Sequence, residues 1–600
     1  MRAAQRRPER LREDALRVSA QALAAGERNA GADALERKLA EACEALKRTL
    51  HVQPRWQQIM AARAMLGERL VEMDTGEGKT IAIALAAATA AALGSPVHVV
   101  TANDYLAARD AGELARFYAR LGLRAGCVSG GMDERQRRFA YSAHVTYVTA
   151  RELAFDYLRD AVKSPRDGTP LEQRARLLAA GSASAPLLPG LCVALIDEAD
   201  TVLLDEARVP FVLAESRGRD GEAAFLAQAR HFASMLREGT HFRLEAGGSE
   251  VRLLATAHDV LRLWPRVSDA LFDHPAHREN AVVFALTARH VLRKGRDYLV
   301  RGGAVELVDG ASGRLSIGRA WSHGLHQLVE LNEGLSPTQP HEPLARITFQ
   351  QFFARYVRLA GISGTLNEGR RELARVYGVH VLRVPAHRPR RVEAGPTRLF
   401  ADGAALWTAV AQRAQTLSRA DRPVLIGVGS VAESQALSRV LRERGIAHRV
   451  LDASQGEEER EVLAAAGAAG AITVATSMAG RGSDIRLDAR AAAAGGLHVL
   501  LTQQNASPRT DRQFLGRAGR QGQPGSCEHW VAADQGPVAR LLRGRRSREL
   551  AARCAGWPAT ALLRAVQTLR AYTEMQQRVT LLRATEAEGR HFVFSRNSIA

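Results

Sequence analysis

The sequence predicts an α/β chain with two parallel-sheet units, and three stretches carry that prediction. Residues 72–80, Glu72-Met73-Asp74-Thr75-Gly76-Glu77-Gly78-Lys79-Thr80, form a Gly-rich turn between a short apolar approach (Leu70, Val71) and an Ala/Ile-rich helical run from Ile81 to Leu93. Residues 192–200, Cys192-Val193-Ala194-Leu195-Ile196-Asp197-Glu198-Ala199-Asp200, form an apolar strand ending in two adjacent acids. Residues 393–540 repeat the alternation of strand and helix and close on Gly516-Arg517-Ala518-Gly519-Arg520-Gln521-Gly522. Strands alternating with helices of this length indicate parallel sheets.

The first stretch is a phosphate-binding loop. A Gly-rich turn leading into a helix lines up backbone N–H groups at the positive end of the helix. Thr75, Gly76, Glu77 and Gly78 supply the loop, Lys79 reaches the β- and γ-phosphates, and the Thr80 hydroxyl takes a place on Mg²⁺. Met73 occupies the first glycine position of the strict pattern, which leaves T-G-x-G-K-T, the helicase-like variant. Upstream, Gln58 offers a side-chain donor and acceptor together, which suits the edge of adenine.

The second stretch supplies the acids. At the end of a buried strand Asp197 holds Mg²⁺ through water, and Glu198 polarises the attacking water. A phosphate-loop lysine followed downstream by this acid pair predicts a nucleoside triphosphatase. In the third stretch Val424 to Val428 is a strand, Glu433 to Glu443 a helix and Ile472 to Thr476 a buried strand. Arg517 and Arg520, three apart, are expected to face one way at a helix start. Across an interdomain cleft they neutralise the γ-phosphate as arginine fingers.

Between these stretches the chain continues the pattern. Val97 to Val100 and His144 to Thr149 read as strands, and residues 163–190, rich in Pro, Gly, Ser and Ala, as a surface loop. Residues 1–50 read as helix, with Leu11, Leu16, Leu35, Leu39 and Leu46 among many Arg and Glu. Such a basic amphipathic helix suits either an anionic lipid surface or a solvated face packed on the motor.

Composition sets the outer bounds. Six hundred residues exceed one core and predict two to four domains. A net charge of +19 favours a polyanionic partner, nucleic acid or an anionic membrane face, unless it only solvates an Arg-rich surface. Five scattered cysteines without a C-x-x-C pair predict neither a zinc site nor a disulfide framework, and fit a reducing cytoplasm. No signal peptide and no membrane span are expected, so membrane contact would be peripheral.

Longer motifs narrow the reading. Thr201-Val202-Leu203-Leu204-Asp205-Glu206-Ala207-Arg208-Val209-Pro210, after the acid pair, resembles the DSILIDEARTP continuation of SecA, the preprotein translocase motor. Asn103-Asp104-Tyr105-Leu106-Ala107 with Arg109-Asp110 is similar to the NDYLAxRD of that family, and Phe155 to Asp160 to its FDYLRD. Gly313-Arg314, Gly318-Arg319, Trp321-Ser322 and Gly324 to Gln327 resemble TGRxxxGRRWSxGLHQ, while Ile347 to Gln350 and Gly364-Thr365 match ITFQ and TGT. The resemblance runs from about residue 40 to 535.

It implies two RecA-like motor domains of the superfamily 2 helicase type, residues 46–212 with 343–392 and residues 393–540. It further implies a mixed α/β preprotein cross-linking insertion at 213–342, after a basic N-terminal segment at 1–45, and a short helical scaffold at 541–600. Asp484 would contact the nucleotide from the second motor. The implied ligands are ATP and Mg²⁺, with no zinc. The implied partners are unfolded preprotein, the SecYEG channel, anionic phospholipid and a second copy of the chain in a homodimer; nucleic acid is not expected. The implied place is the cytoplasm and the cytoplasmic face of the membrane. Asp74 stands where the family usually carries a basic residue, Leu515 replaces an arginine and Ser483 a threonine. The wing, the two-helix finger and the Cys-rich tail have no counterpart, which suggests a reduced, accessory member with few substrates. A nucleic-acid helicase built on the same twin motor is the alternative, suited by the charge and the D-E-A-D spelling.

Overall fold

The computed structural model describes residues 30–163, 186–207, 211–216, 221–245, 250–265, 270–308, 315–316, 321, 324–338, 341–451, 462, 465–476, 485–505, 507–542 and 544–596. The strands of the two large sheets are numbered here in chain order. The first sheet comprises β1 (Arg69–Glu72), β2 (Val97–Thr101), β3 (Ala125–Cys127), β4 (Val145–Thr149), β5 (Val193–Asp197), β6 (Arg358–Ser363) and β7 (His380–Arg383). The second comprises β8 (Arg391–Ala394), β9 (Arg398–Phe400), β10 (Val424–Val428), β11 (Arg449–Leu451), β12 (Ile472–Thr476), β13 (Leu497–Leu501) and β14 (Pro524–Ala532).

Both sheets are parallel throughout. The first runs in the order β7-β1-β6-β5-β2-β4-β3. The second runs β8-β14-β13-β10-β12-β11, with β9 also on β14. Register decides where chemistry can occur. Glu72 of β1 lies opposite Ser363 of β6, and Asp197 of β5 opposite Ile362. The carboxyl ends of three neighbouring strands therefore finish level, and the loops that follow them converge, as ligand sites in α/β sheets require.

The helix Lys79–Ala92 after the first loop is buried along every face from Ala82 to Ala91. Small side chains let it lie close to the sheet, and a helix apolar all round belongs inside a core. The helices Ala30–Leu50 and Trp56–Leu66 join the same core through Leu39, Ala42, Leu46, Ile59, Ala61 and Met65. For residues 30–50 the face packed on the motor is thus what forms. The Arg-rich stretch of residues 1–29, like most of the loop expected at 163–190, lies outside the described residues.

Beyond the second sheet come helices Gly536–Leu541, Arg545–Ala552 and Trp557–Arg596, the last two within the helical segment expected at 541–600; Gly556, at φ +68°, breaks the chain before the last of them. The 40-residue last helix is pinned to the motors. Gln504 Nε2 donates to the Leu563 carbonyl at 2.6 Å, and Arg578 donates twice to Glu372 at 2.6 and 2.8 Å. Among the described residues no helix is long and apolar enough to cross a membrane.

Leu213–Leu344 forms a compact unit of its own. It repeats one motif. Helix Glu222–Met235 leads through Gly239 (φ +83°) to the hairpin Phe242–Glu245 with Glu250–Leu253. Helix Pro275–His290 leads through Gly295 (φ +85°) to the hairpin Tyr298–Arg301 with Ala304–Val308. In the first turn Arg237 N–H donates to His241 Nδ1 at 3.0 Å; in the second Arg293 N–H donates to Asp297 Oδ2 at 2.8 Å. An aromatic cluster forms its core, with Phe232 stacked on Trp264 at 4.8 Å between centroids.

Candidate nucleotide site

The loop after β1 turns on two glycines at φ +87° (Gly76) and φ +84° (Gly78), a region that L side chains rarely adopt. Gly78 is required for a second reason. A Cβ there would lie 2.3 Å from Gln58 Nε2, so only glycine admits that amide against the loop. Gln58 Nε2 donates to the Glu77 carbonyl at 2.9 Å, and Gln58 Oε1 accepts the Arg55 N–H at 2.9 Å. One end of the amide thus fixes the loop, the other caps the start of its own helix, and each keeps a second N–H or lone pair.

Lys79, the first residue of the helix, points to the acid pair and forms an ion pair with Glu198 Oε1. Burial alone would lower its pKa, but the charges of Glu198 and Asp197 outweigh that and hold it raised. Thr80 follows on the same helix turn. Asp197 ends β5 and is pushed up to about 6, first by burial and also by the Glu198 charge, against the pull of Lys79. Glu198 has φ +48°, a left-handed backbone that a non-glycine residue adopts at a cost of order 1 kcal/mol. It is held there: its Oε2 accepts from Gln513 Nε2 at 3.0 Å, with Ser363 Oγ 3.2 Å away. Asp200 accepts from Ser363 Oγ and from Thr365 Oγ1, each at 2.5 Å. The Ser363-Gly364-Thr365 turn after β6 therefore binds the loop after β5.

The second sheet contributes one helix, Pro508–Leu515, and the turn after it. Arg509 donates to Asp205 Oδ1 at 2.9 Å and to the Asp200 carbonyl at 3.3 Å. Arg512 donates to Glu72 Oε2 at 3.0 Å and to Glu368 at 2.8 Å. Gln513 reaches Glu198, as above. Positions i, i+3 and i+4 share a helix face, and here that face is the contact with the first motor. The spacing Arg509, Arg512, Gln513 was a readable signal. Glu72, which accepts the N–H groups of Leu366 and Asn367 at 2.7 and 2.6 Å, carries none in the sequence.

The expected helix start at the arginines is instead a turn. Gly519 (φ +64°) and Gly522 (φ +75°) interrupt any helix, leaving only a short 3-10 segment, Arg520–Gly522. Arg517 is buried, with its guanidinium 5.2 Å from the centre of the Phe514 ring. Arg520 lies on the phosphate loop, its Cβ, Cγ and Cδ 3.3–3.4 Å from where a Gly76 Cβ would be. Asp484 lies outside the described residues. Beside the loop, Arg55, Glu77, His387, Arg388 and Gln521 line a cavity of about 200 Å³.

Comparison with known proteins shows the family. A family model described as the SecA DEAD-like domain matches residues 1–374, and one described as the SecA P-loop domain matches residues 390–493 and 489–553. The chain is 42% identical over 510 residues to protein translocase subunit SecA 2 of Bordetella avium, covering 83% of this chain and 76% of that one. It is 40% identical over 545 residues to protein translocase subunit SecA 3 of Magnetococcus marinus, covering 89% and 81%. Against protein translocase subunit SecA of Solidesulfovibrio magneticus it is 37% identical over 508 residues, spanning 84% of this chain and 58% of that longer protein. Among solved structures, S. cerevisiae Dbp5 bound to RNA and ADP BeF3 overlaps it with a TM-score of 0.39 and 12% identity, covering 85% of this chain and 90% of that one. With two SecA family models spanning both motors and relatives at about two-fifths identity over most of its length, the chain belongs to the SecA family of protein translocase ATPases.

Proposed function

We propose that this chain is an ATP-hydrolysing motor that drives unfolded preprotein through the SecYEG channel, acting peripherally at the cytoplasmic face of the membrane. One observation carries the catalytic part. Glu198 is gripped at once by the loop lysine Lys79 and by Gln513 of the second motor, with Ser363 of β6 beside it, while Arg520 lies on Gly76. A group that senses both motors is suited to couple domain closure to chemistry.

In this reading Gln58 borders the base, residues Thr75 to Thr80 hold the phosphates, and Asp484 meets the nucleotide from the second motor. Glu198 is the general base. Once Lys79 turns to a phosphate, Glu198 Oε1 is released to accept the proton of the attacking water. Arg517 and Arg520 neutralise charge on the transferring phosphoryl group, a contribution of about 10³–10⁵ in rate. The residues fit Mg²⁺: a carboxyl raised to about 6 by burial beside a second acid, as at Asp197, is the environment a cation relieves, and Thr80 supplies the hydroxyl. The ion, when bound, neutralises phosphate charge.

Residues 213–342 are proposed as the clamp on extended polypeptide. Their two hairpins offer strand edges that bind backbone irrespective of sequence. The surplus charge of +19 provides attraction to anionic head groups at about 1 kcal/mol for each Arg near the surface. The relatives named SecA 2 and SecA 3, which this chain spans by about four-fifths, support an accessory role with few substrates.

The experiment compares stimulation of the ATPase. The rate should rise when unfolded preprotein and membranes bearing the channel are added together, and not with RNA or DNA. Stimulation by nucleic acid alone would favour the helicase alternative. Photo-cross-linkers placed in 213–342 should capture the substrate during transport; capture only from helices beyond residue 541 would refute the clamp.

A further inference from the structure

The segment Val384–Val392, which joins the two sheets, threads between the phosphate loop and the turn that carries Arg517 and Arg520. On one side the His387 N–H donates to Glu77 Oε2 at 3.1 Å, and Arg390 Nε lies 3.4 Å from Asp74 Oδ2. On the other side it fills the space left by three glycines. A Cβ at Gly516 would lie 3.3 Å from Arg390 Nη2, one at Gly519 2.2 Å from Val392 Cγ2, and one at Gly522 3.1 Å from Arg388 Cβ. Arg390 Nη2 also reaches the Gly516 carbonyl at 3.5 Å. That carbonyl caps the helix Pro508–Leu515, where the backbone dipole is negative and favours a cation. One guanidinium thus touches an acid of the phosphate loop and the carbonyl just before Arg517.

We propose that Asp74 and Arg390 are a positioning pair that sets the spacing between the phosphate loop and the Arg517–Arg520 turn, and so governs the rate of hydrolysis rather than nucleotide affinity. This rests on the proposed roles of Arg517 and Arg520. The side chains of the pair are 21% and 37% exposed, so as a plain surface ion pair it would add little to stability. Its leverage is geometric. A displacement of about 1 Å in a charge-stabilising group costs up to about 10²-fold in rate, and Arg390 bridges the two segments, 3.4 Å from Asp74 Oδ2 and 3.5 Å from the Gly516 carbonyl.

The test uses the full chain and four variants. R390A is expected to lower kcat about tenfold while the Kd for a fluorescent ADP stays within about twofold, the pattern of lost transition-state stabilisation with ground-state binding kept. R390D, facing Asp74, should fall at least as far. The exchange D74R/R390D, which restores opposite charges, should recover kcat to within about threefold of the parent. K79A, run alongside, tests the nucleotide site itself: wild-type hydrolysis in K79A would refute the proposed function, whatever the pair does. The positioning role is overturned if R390A leaves kcat unchanged, if kcat and ADP affinity fall together, or if the exchange fails to recover kcat. Should R390D not fold, R390A and the exchange decide between these outcomes on their own.

Discussion

Glu72 offers the sharpest single perturbation. It ends β1 directly before the phosphate loop, its side chain is 2% exposed, and it accepts the N–H groups of Leu366 and Asn367 at 2.7 and 2.6 Å. Arg512 of the second motor adds contacts at 3.0 and 3.4 Å. Glu72→Ala leaves the buried Leu366 N–H without its acceptor and releases the Asn367 N–H of an exposed residue. A hydrogen bond to a charged group contributes about 1.5–3 kcal/mol, and with water partly replacing the bond to Asn367 the two sum to about 3–5 kcal/mol. Arg512 is about a third exposed, and its pairing adds less than about 1 kcal/mol after solvent screening. At about 2–4 °C per kcal/mol for a unit of this size, the melting temperature should drop by on the order of 10 °C or more. Glu72→Gln keeps one carbonyl acceptor and should lose roughly half as much. Thermal denaturation followed by circular dichroism measures both. An Ala variant melting within about 2 °C of the parent would show that Glu72 is not the hub that its contacts describe.

Three further outcomes follow from the site. Glu198→Gln should bind ATP normally and hydrolyse it more slowly by at least about 10²-fold, measured by single-turnover kinetics; parental turnover would remove Glu198 as the base. Asp197 is raised from 3.8 to about 6, so proton and Mg²⁺ compete for it: cation affinity should be full above about pH 6 and fall about tenfold per pH unit below it. The sign reverses for metal-free stability, because the buried charge costs the fold above pH 6 and is relieved as the pH drops toward 3.8. A Mg²⁺ titration of the ATPase that is flat between about pH 5 and 8 would contradict the assignment. Gly78→Ala combines a strained φ of +84° with a Cβ 2.3 Å from Gln58 Nε2, and should weaken ATP binding by more than about tenfold with the fold retained, read by equilibrium titration.

What could be read from the chain is what lies contiguously in it. The phosphate loop and the acid pair are short runs in which residue type and spacing point to a chemistry, and each sits at the end of a strand as its flanking residues predict. Glu72 and Asp200 are legible only in space. Their partners Leu366 and Ser363 lie 294 and 163 residues away, and they meet because β1, β6 and β5 finish level. At the arginine turn the structure departs from the sequence for a local reason, since glycine at 516, 519 and 522 defeats the helix start that two arginines three apart suggest. In the inserted unit the sequence around Gly302-Gly303 shows only two strand-like stretches, which the structure pairs as a hairpin. Its partner at 242–253 carries the same Gly-Gly signal, Gly247-Gly248, yet the repeat emerges only when the matching turns at Gly239 and Gly295 are set side by side.

The central claim is that ATP hydrolysis between these two motors moves polypeptide across a membrane. It is tested most directly by transport of a radiolabelled unfolded preprotein into inverted membrane vesicles that contain the channel and no other SecA. With ATP and the parent chain, a protease-protected fraction should accumulate with time, and Glu198→Gln should abolish it while still binding the nucleotide. Protection that appears equally with Glu198→Gln, or no protection while RNA or DNA accelerates hydrolysis, would contradict it.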